Sequence, residues 1–181
     1  MEATAAWLRR IEDRMEIDDL VTRYAIACDD RDLSRLGECF TADGTFVSVG
    51  GRVAGREAVI AYYRERFGCY GPSYHVPHRT LLDELGENEA RGTVLAHSEL
   101  MLDGGLFVAA HRYQDRYRRE EGRWRIVERR CEFLYGMPLR ELLDANAGQP
   151  RLHWPGMPPQ QADIPENLPT WQAFERAKER E

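Results

Sequence analysis

The chain has 181 residues, 43% of them hydrophobic and 10% aromatic, which is one domain's worth of sequence with enough apolar surface for a core and excludes wholesale disorder. A net charge of -6 with no basic run argues against nucleic acid as a partner. The 25 basic side chains include a single lysine, Lys178, which leaves no P-loop lysine and argues against a lysine Schiff base.

No run of apolar residues is long enough to span a bilayer, and Met1-Glu2-Ala3-Thr4 opens acidic where a signal peptide is basic. A cytoplasmic protein with no membrane partner is expected. Cys28, Cys39, Cys69 and Cys131 lie too far apart for a zinc or redox motif, and are expected to be reduced and mostly buried. No Gly-x-Gly-x-x-Gly follows a strand, so nucleotide cofactors have no support.

In chain order, residues 5–28 carry a helical period, with Trp7, Leu8, Ile11, Met15, Leu20, Val21, Tyr24 and Cys28 on one side. Asp29-Asp30-Arg31-Asp32 ends this helix and caps a second through Leu33, Leu36 and Cys39. Thr41 to Gly44 reads as a turn, Thr45 to Val49 as a short strand, and Gly50-Gly51 as a hairpin. Gly55 starts a third helix bearing Val59, Ile60, Tyr62, Tyr63 and Phe67. The period then changes. Arg79–Leu85, Ala90–Leu102, Leu106–Arg118 and Trp124–Tyr135 read as strands of an antiparallel meander, joined by Gly-Glu-Asn, Asp-Gly-Gly and Glu-Glu-Gly turns. The layout is α+β, a curved sheet wrapped on N-terminal helices, occupying about residues 1–140.

Residues 141–181 form a proline-rich C-terminal extension. It holds Trp154 and Trp171, and with Leu142, Leu143 and Phe174 these are costly to leave in water. The extension is expected to pack on the body or on a neighbouring subunit.

The candidates for chemistry are few. His75 and His78 lie where the chain enters the sheet, but two histidines without a third ligand make a poor metal site, and no metal is expected. Asp29, just past the helix, is by itself an ordinary cap. A sheet curling over the helix would bring Tyr24, Asp29 and His75 to one cavity, where the carboxylate fixes the imidazole's tautomer and supports proton abstraction beside a carbonyl. Alternation places Val127, Arg129, Cys131 and Phe133 on one face of the last strand, with Trp124, Ile126, Glu128 and Arg130 on the other. Arg129 is expensive there unless paired: it holds the aspartate, meets an anionic substrate, or makes a structural ion pair. His97 and His111, in mid-strand, are weaker candidates. Tyr62, Tyr63, Phe107, Phe133 and Tyr135 suggest a hydrophobic substrate.

The segments Tyr24-Ala-Ile-Ala-Cys-Asp29, Cys39-Phe40-Thr-Ala-Asp-Gly44-Thr-Phe, Gly51-Arg-Val-Ala-Gly55-Arg-Glu-Ala and Arg119-Glu-Glu-Gly-Arg-Trp124-Arg-Ile resemble the SnoaL-like branch of the nuclear transport factor 2-like superfamily, over about residues 5–140. The resemblance implies a cone-shaped fold with an internal pocket. It also implies a cofactor-free lyase of the dehydratase type, or an isomerase or cyclase, acting on a small hydrophobic carbonyl compound such as a polyketide, steroid or terpenoid. On it, Asp29 and His75 match the catalytic dyad and Tyr24 a nearby tyrosine. Arg129 matches a strand arginine, and His78, Tyr63 and Phe133 are expected to help bind substrate. Ser98 and the missing lysine depart from acidic and basic positions used by some members. A homo-oligomer is implied, a trimer ahead of a dimer. An epoxide hydrolase, which needs an Asp–Arg–Asp set, and a non-catalytic pocket or assembly module of the same fold are the alternatives.

Overall fold

The computed structural model describes residues 2–143 and 149–178. Its elements run α1 (Glu2–Asp29), α2 (Leu33–Glu38), β1 (Phe40–Ser48), β2 (Gly51–Ala54), α3 (Arg56–Cys69), β3 (Ser73–Leu85), β4 (Glu89–Leu102), β5 (Gly105–Glu120), β6 (Arg123–Pro138), α4 (Leu139–Leu142) and α5 (Pro169–Lys178). The six strands form one open sheet in the order β2-β1-β6-β5-β4-β3. It is a mixed sheet, because β1 pairs parallel with β6, where the sequence had suggested antiparallel strands throughout.

Two hairpins follow directly from turn chemistry. Asp103-Gly104 and Glu121-Gly122 join β4 to β5 and β5 to β6, and all four residues have positive φ, as tight two-residue turns between twisted strands require. Helix α1 ends at Asp29, and two residues on, Arg31, with a φ of 60°, turns the chain left-handed. Its guanidinium bonds the Cys28 carbonyl, the Ser73 hydroxyl and the Gly71 carbonyl, tying the helix end to the start of β3. Asp32 then caps α2 by accepting from the Arg35 backbone N–H at 2.9 Å.

Strand β3 begins at Ser73, six residues before the predicted Arg79. Pro77 obscured it in the sequence; proline is tolerated here because β3 is an edge strand and its register shifts between Pro77 and Arg79. Strand β1 likewise starts at Phe40 and absorbs the expected Thr41–Gly44 turn as an irregularity in its pairing with β6. On β6 the simple alternation fails. Arg116 pairs with Glu128 but Tyr117 with Ile126, leaving Val127 as a bulge. That extra residue puts Trp124 and Ile126 in the core together with Arg129, Cys131 and Phe133.

The core lies between the concave face of the sheet and the helices. Ile17, Leu20, Val21, Tyr24 and Cys28 of α1 pack with Phe40, Val59, Val94, Tyr117 and Trp124. Each large aliphatic or aromatic side chain so enclosed contributes roughly 1.5–3 kcal/mol. The first turns of α1 depart from the expected apolar side: Trp7, Leu8 and Met15 are exposed. Of the cysteines, all free, only Cys69 is exposed.

The extension is divided. Leu152, Trp154, Ala162 and Ile164 are buried, and Leu152 bridges Gly136 of β6 on one side and Gln160 on the other. Arg151 fastens the segment through a two-armed ion pair with Glu166, both contacts at 2.8 Å. Leu143, Trp171 and Phe174 are exposed in this chain. Among the described residues no helix is long and apolar enough to cross a membrane.

Candidate active site

The end of α1 and the start of β3 meet where Arg31 ties them together, and this brings Asp29 to His75. Asp29 Oδ1 lies 2.6 Å from His75 Nδ1, and Oδ2 accepts the His75 backbone N–H at 2.8 Å. Ser73 donates to the same carboxylate at 3.0 Å. Burial raises the Asp29 pKa, but the hydrogen bonds from the His75 ring and backbone, the nearby imidazole and Ser73 outweigh it, so the carboxyl stays below its usual range. An ionised Asp29 keeps the proton on Nδ1 and leaves Nε2 as the basic atom.

His75 opens on an internal cavity of about 70 Å³. Its wall takes Tyr24 from α1; Tyr62, Tyr63 and Arg66 from α3; Ser98, His111 and Phe133 from the sheet; and Trp154 from the extension. Larger hollows, up to about 620 Å³, do not touch the dyad. The hydroxyls of Tyr24 and Tyr63 hydrogen-bond to each other. Burial above all pushes both pKa values well above the ordinary, so both stay protonated and one O–H of the pair remains free to donate.

Arg129 lies beneath this wall rather than in it. Both Arg129 and Asp115 side chains are fully enclosed, and Nε and one terminal nitrogen of Arg129 donate to the carboxylate at 3.0 and 2.6 Å. The guanidinium lies between the rings of Tyr24 and Tyr113, at 4.1 and 4.3 Å from their centroids. Burial alone would lower the Arg129 pKa; Asp115 more than offsets it. Of the three readings of Arg129, the structure shows the ion pair, with Asp115 and not Asp29, because those two residues face each other across β5 and β6. Asp115 also accepts from Tyr117 at 2.6 Å, so it is not free to activate water as an epoxide hydrolase would need.

His78 is not brought to the cavity. Three positions beyond His75, it falls on the opposite face of the strand, exposed, with its Nε2 at 2.5 Å from His97 Nδ1. Tyr63 and Phe133 do line the cavity. The sequence marks His111 only as a weaker candidate and Trp154 only as part of a segment packing on the body or a neighbouring subunit, and gives no sign that Ser98 and Arg66 line this cavity. His111 is 3% exposed, bonds Ser98 at 2.8 Å through Nε2, and is held neutral, its pKa pushed by burial, and then by the neighbouring positive charges, down to about 3. Among the described residues no group of three or more His, Cys, Asp and Glu is arranged to hold a metal ion.

A family model described as the SnoaL-like domain matches residues 9–130. The chain belongs to that family. Three solved structures show how closely its SnoaL-like fold is shared. A hexachlorocyclohexane dehydrochlorinase, LinA type 2, is 21% identical, with a TM-score of 0.69 over 83% of this chain and 99% of its own. A putative scytalone dehydratase from Novosphingobium aromaticivorans is 14% identical, with a TM-score of 0.66 over 71% of this chain and 88% of its own. A protein of unknown function from Mycobacterium tuberculosis is 26% identical, with a TM-score of 0.63 over 71% of this chain and 78% of its own. No curated protein matches the chain. At such identities the likeness establishes a common SnoaL-like architecture, and the chemistry rests on this chain's own residues.

Proposed function

We propose that the protein is a cofactor-independent lyase, or an isomerase, that removes a proton beside the carbonyl of a small hydrophobic substrate. The observation that carries this reading is the 2.6 Å contact between Asp29 and His75 Nδ1, made on the wall of a cavity lined mostly by aromatic side chains. His75 Nε2 takes the proton, and Asp29 stabilises the imidazolium that results. The electron pair of the broken C–H bond moves into an enolate, whose oxygen accepts the free O–H of the Tyr24–Tyr63 pair. In an elimination the enolate expels a leaving group from the next carbon, and His75 returns its proton to a departing hydroxide. In an isomerisation the proton goes back to a different carbon. That two fold relatives are named for a dehydrochlorinase and a dehydratase agrees with elimination.

Pockets that hold drug-sized ligands run to about 300–1,000 Å³. At about 70 Å³ the cavity is too small to take a whole polyketide or steroid skeleton.

The test is α-proton exchange. A panel of hydrophobic ketones incubated with the protein in D2O should gain deuterium beside the carbonyl faster than buffer alone allows, and His75→Gln should remove the gain. Exchange that persists in His75→Gln would assign the base elsewhere; no exchange with any ketone would favour a non-catalytic binding module.

A further inference from the structure

Two buried nitrogen atoms of residues that line the cavity, His111 Nδ1 and Trp154 Nε1, have no hydrogen-bond partner among the described residues. Both rings pack on Phe133, at 5.5 and 5.4 Å between centroids. The third such atom, a terminal nitrogen of Arg129, belongs to the guanidinium held between the Tyr24 and Tyr113 rings and is accounted for there.

Counting protons assigns what these two nitrogens offer. An indole nitrogen can only donate. The neutral His111 carries one ring proton, and its Nε2 lies 2.8 Å from the hydroxyl of Ser98, which is 4% exposed and has no other partner among the described residues. If Nε2 held the proton, the Ser98 hydroxyl and Nδ1 would both be left unpaired. If Ser98 donates to Nε2, only the Nδ1–H is left. The second arrangement strands one buried group fewer, so Nδ1 is a donor too. Two residues of the cavity wall thus carry neutral N–H groups with no acceptor among the described residues.

We infer that His111 Nδ1–H and Trp154 Nε1–H form an oxygen-binding site for a carbonyl of the substrate, separate from the oxygen served by the Tyr24–Tyr63 pair. A carbonyl oxygen has two lone pairs and no proton, which suits two donors. A hydroxyl would bring a proton with no acceptor, and a carboxylate a charge that two buried neutral groups do not offset. The substrate is therefore a compound with two carbonyl-type oxygens, such as a diketone, a quinone or a keto ester. The inference also makes the extension part of the site, since Trp154 is held there by the Leu152 bridges to Gly136 and Gln160. It rests on the lyase reading in one respect, that this cavity receives the substrate.

Cyclopentanone and methylenecyclopentane have nearly the same shape and differ in a carbonyl oxygen against a CH2 group, so they serve as probes. Binding to the 15N-labelled full-length protein is followed by NMR, with the Trp154 indole signal identified as the one lost in Trp154→Phe. The ketone should bind about three- to tenfold tighter than the hydrocarbon, and it should shift the Trp154 indole proton downfield. Trp154→Phe, which keeps the ring but not the N–H at that position, should reduce the preference, and Ser98→Ala should disturb it by freeing the His111 tautomer. Equal binding of the two probes, failure of the ketone to bind, or an indole signal unmoved at saturating ketone would overturn the oxygen site. His75→Gln measured alongside separates the two readings. Exchange lost with no ketone preference in either protein removes only the oxygen site, and a retained preference with exchange unchanged removes only the base.

Discussion

Asp29 holds His75 at two points, its ring through Oδ1 at 2.6 Å and its backbone N–H through Oδ2 at 2.8 Å. The carboxylate therefore sets both the tautomer of the imidazole and the position of the strand that carries it. Asp29→Asn keeps the size but offers an NH2 group where one of these donors points. Turnover or α-exchange should fall by about 10²–10⁴-fold. Combined with His75→Gln, it should cost little more than His75→Gln alone, since both disable one proton transfer. Additive losses in that cycle would show that the two residues act separately.

Arg129 and Asp115 make a different kind of pair, one on which folding depends. With both side chains fully enclosed, removing one partner leaves a buried charge uncompensated. Arg129→Met should cost about 3–5 kcal/mol in urea unfolding, and adding Asp115→Leu should recover much of it. A stable Arg129→Met protein with weakened substrate binding would instead make Arg129 a ligand contact.

The pH dependence of stability should carry the mark of His111. Its pKa is 6.5 unperturbed and about 3 in the folded protein, so below pH 6.5 the unfolded chain binds a proton that the native state refuses until about pH 3. Stability is thus complete above pH 6.5 and falls as pH drops through that window, with a slope of up to about 1.4 kcal/mol per pH unit. His111→Gln should flatten the slope between about pH 4.5 and 6, measured by urea unfolding at each pH. The lowered carboxyl of Asp29 loses its contribution only at lower pH, below its ordinary 3.8. A slope unchanged by the substitution would mean that another group is responsible.

Assembly is expected to cover the outer face of the sheet, where Tyr74, Leu81 and Leu95 are exposed. Light scattering should report a homo-oligomer, a trimer ahead of a dimer, and Leu81→Glu should shift it towards the 21.0 kDa chain. A monomer at micromolar concentration would remove this expectation.

Much of the fold was legible because periodicity is a local signal. The helix through Tyr24, the Gly55 start of α3 and the two glycine turns each follow from a few adjacent residues. What misled was every place where the strand period is broken: Pro77 within β3, and the single extra residue Val127 that shifts the inward face of β6. The site divides the same way. Asp29 and His75, each ordinary alone, were picked out by the cavity that a curling sheet would make them share and by the family resemblance, whereas His78 lost its place to strand parity and Arg129 to a cross-strand partner. His111 and Ser98 looked like any mid-strand polar residues; a pair on neighbouring strands is invisible until the register is known. Trp154 could not be assigned because nothing local says which part of a proline-rich segment returns to the body.

The parallel pairing of β1 with β6 has a bearing on how the chain comes to be folded. Phe40 pairs with Ile126 and Phe46 with Arg129, so the first strand made waits for the last. During synthesis β1 can pair with β2 at once, but its other edge finds β6 only once more than two thirds of the chain has been made. Contacts so distant along the sequence close slowly, because the intervening loop must be ordered first. The nascent chain is therefore the form of this protein most exposed to aggregation, and slowing translation ahead of β6 should lower its soluble yield more than the same delay placed after it.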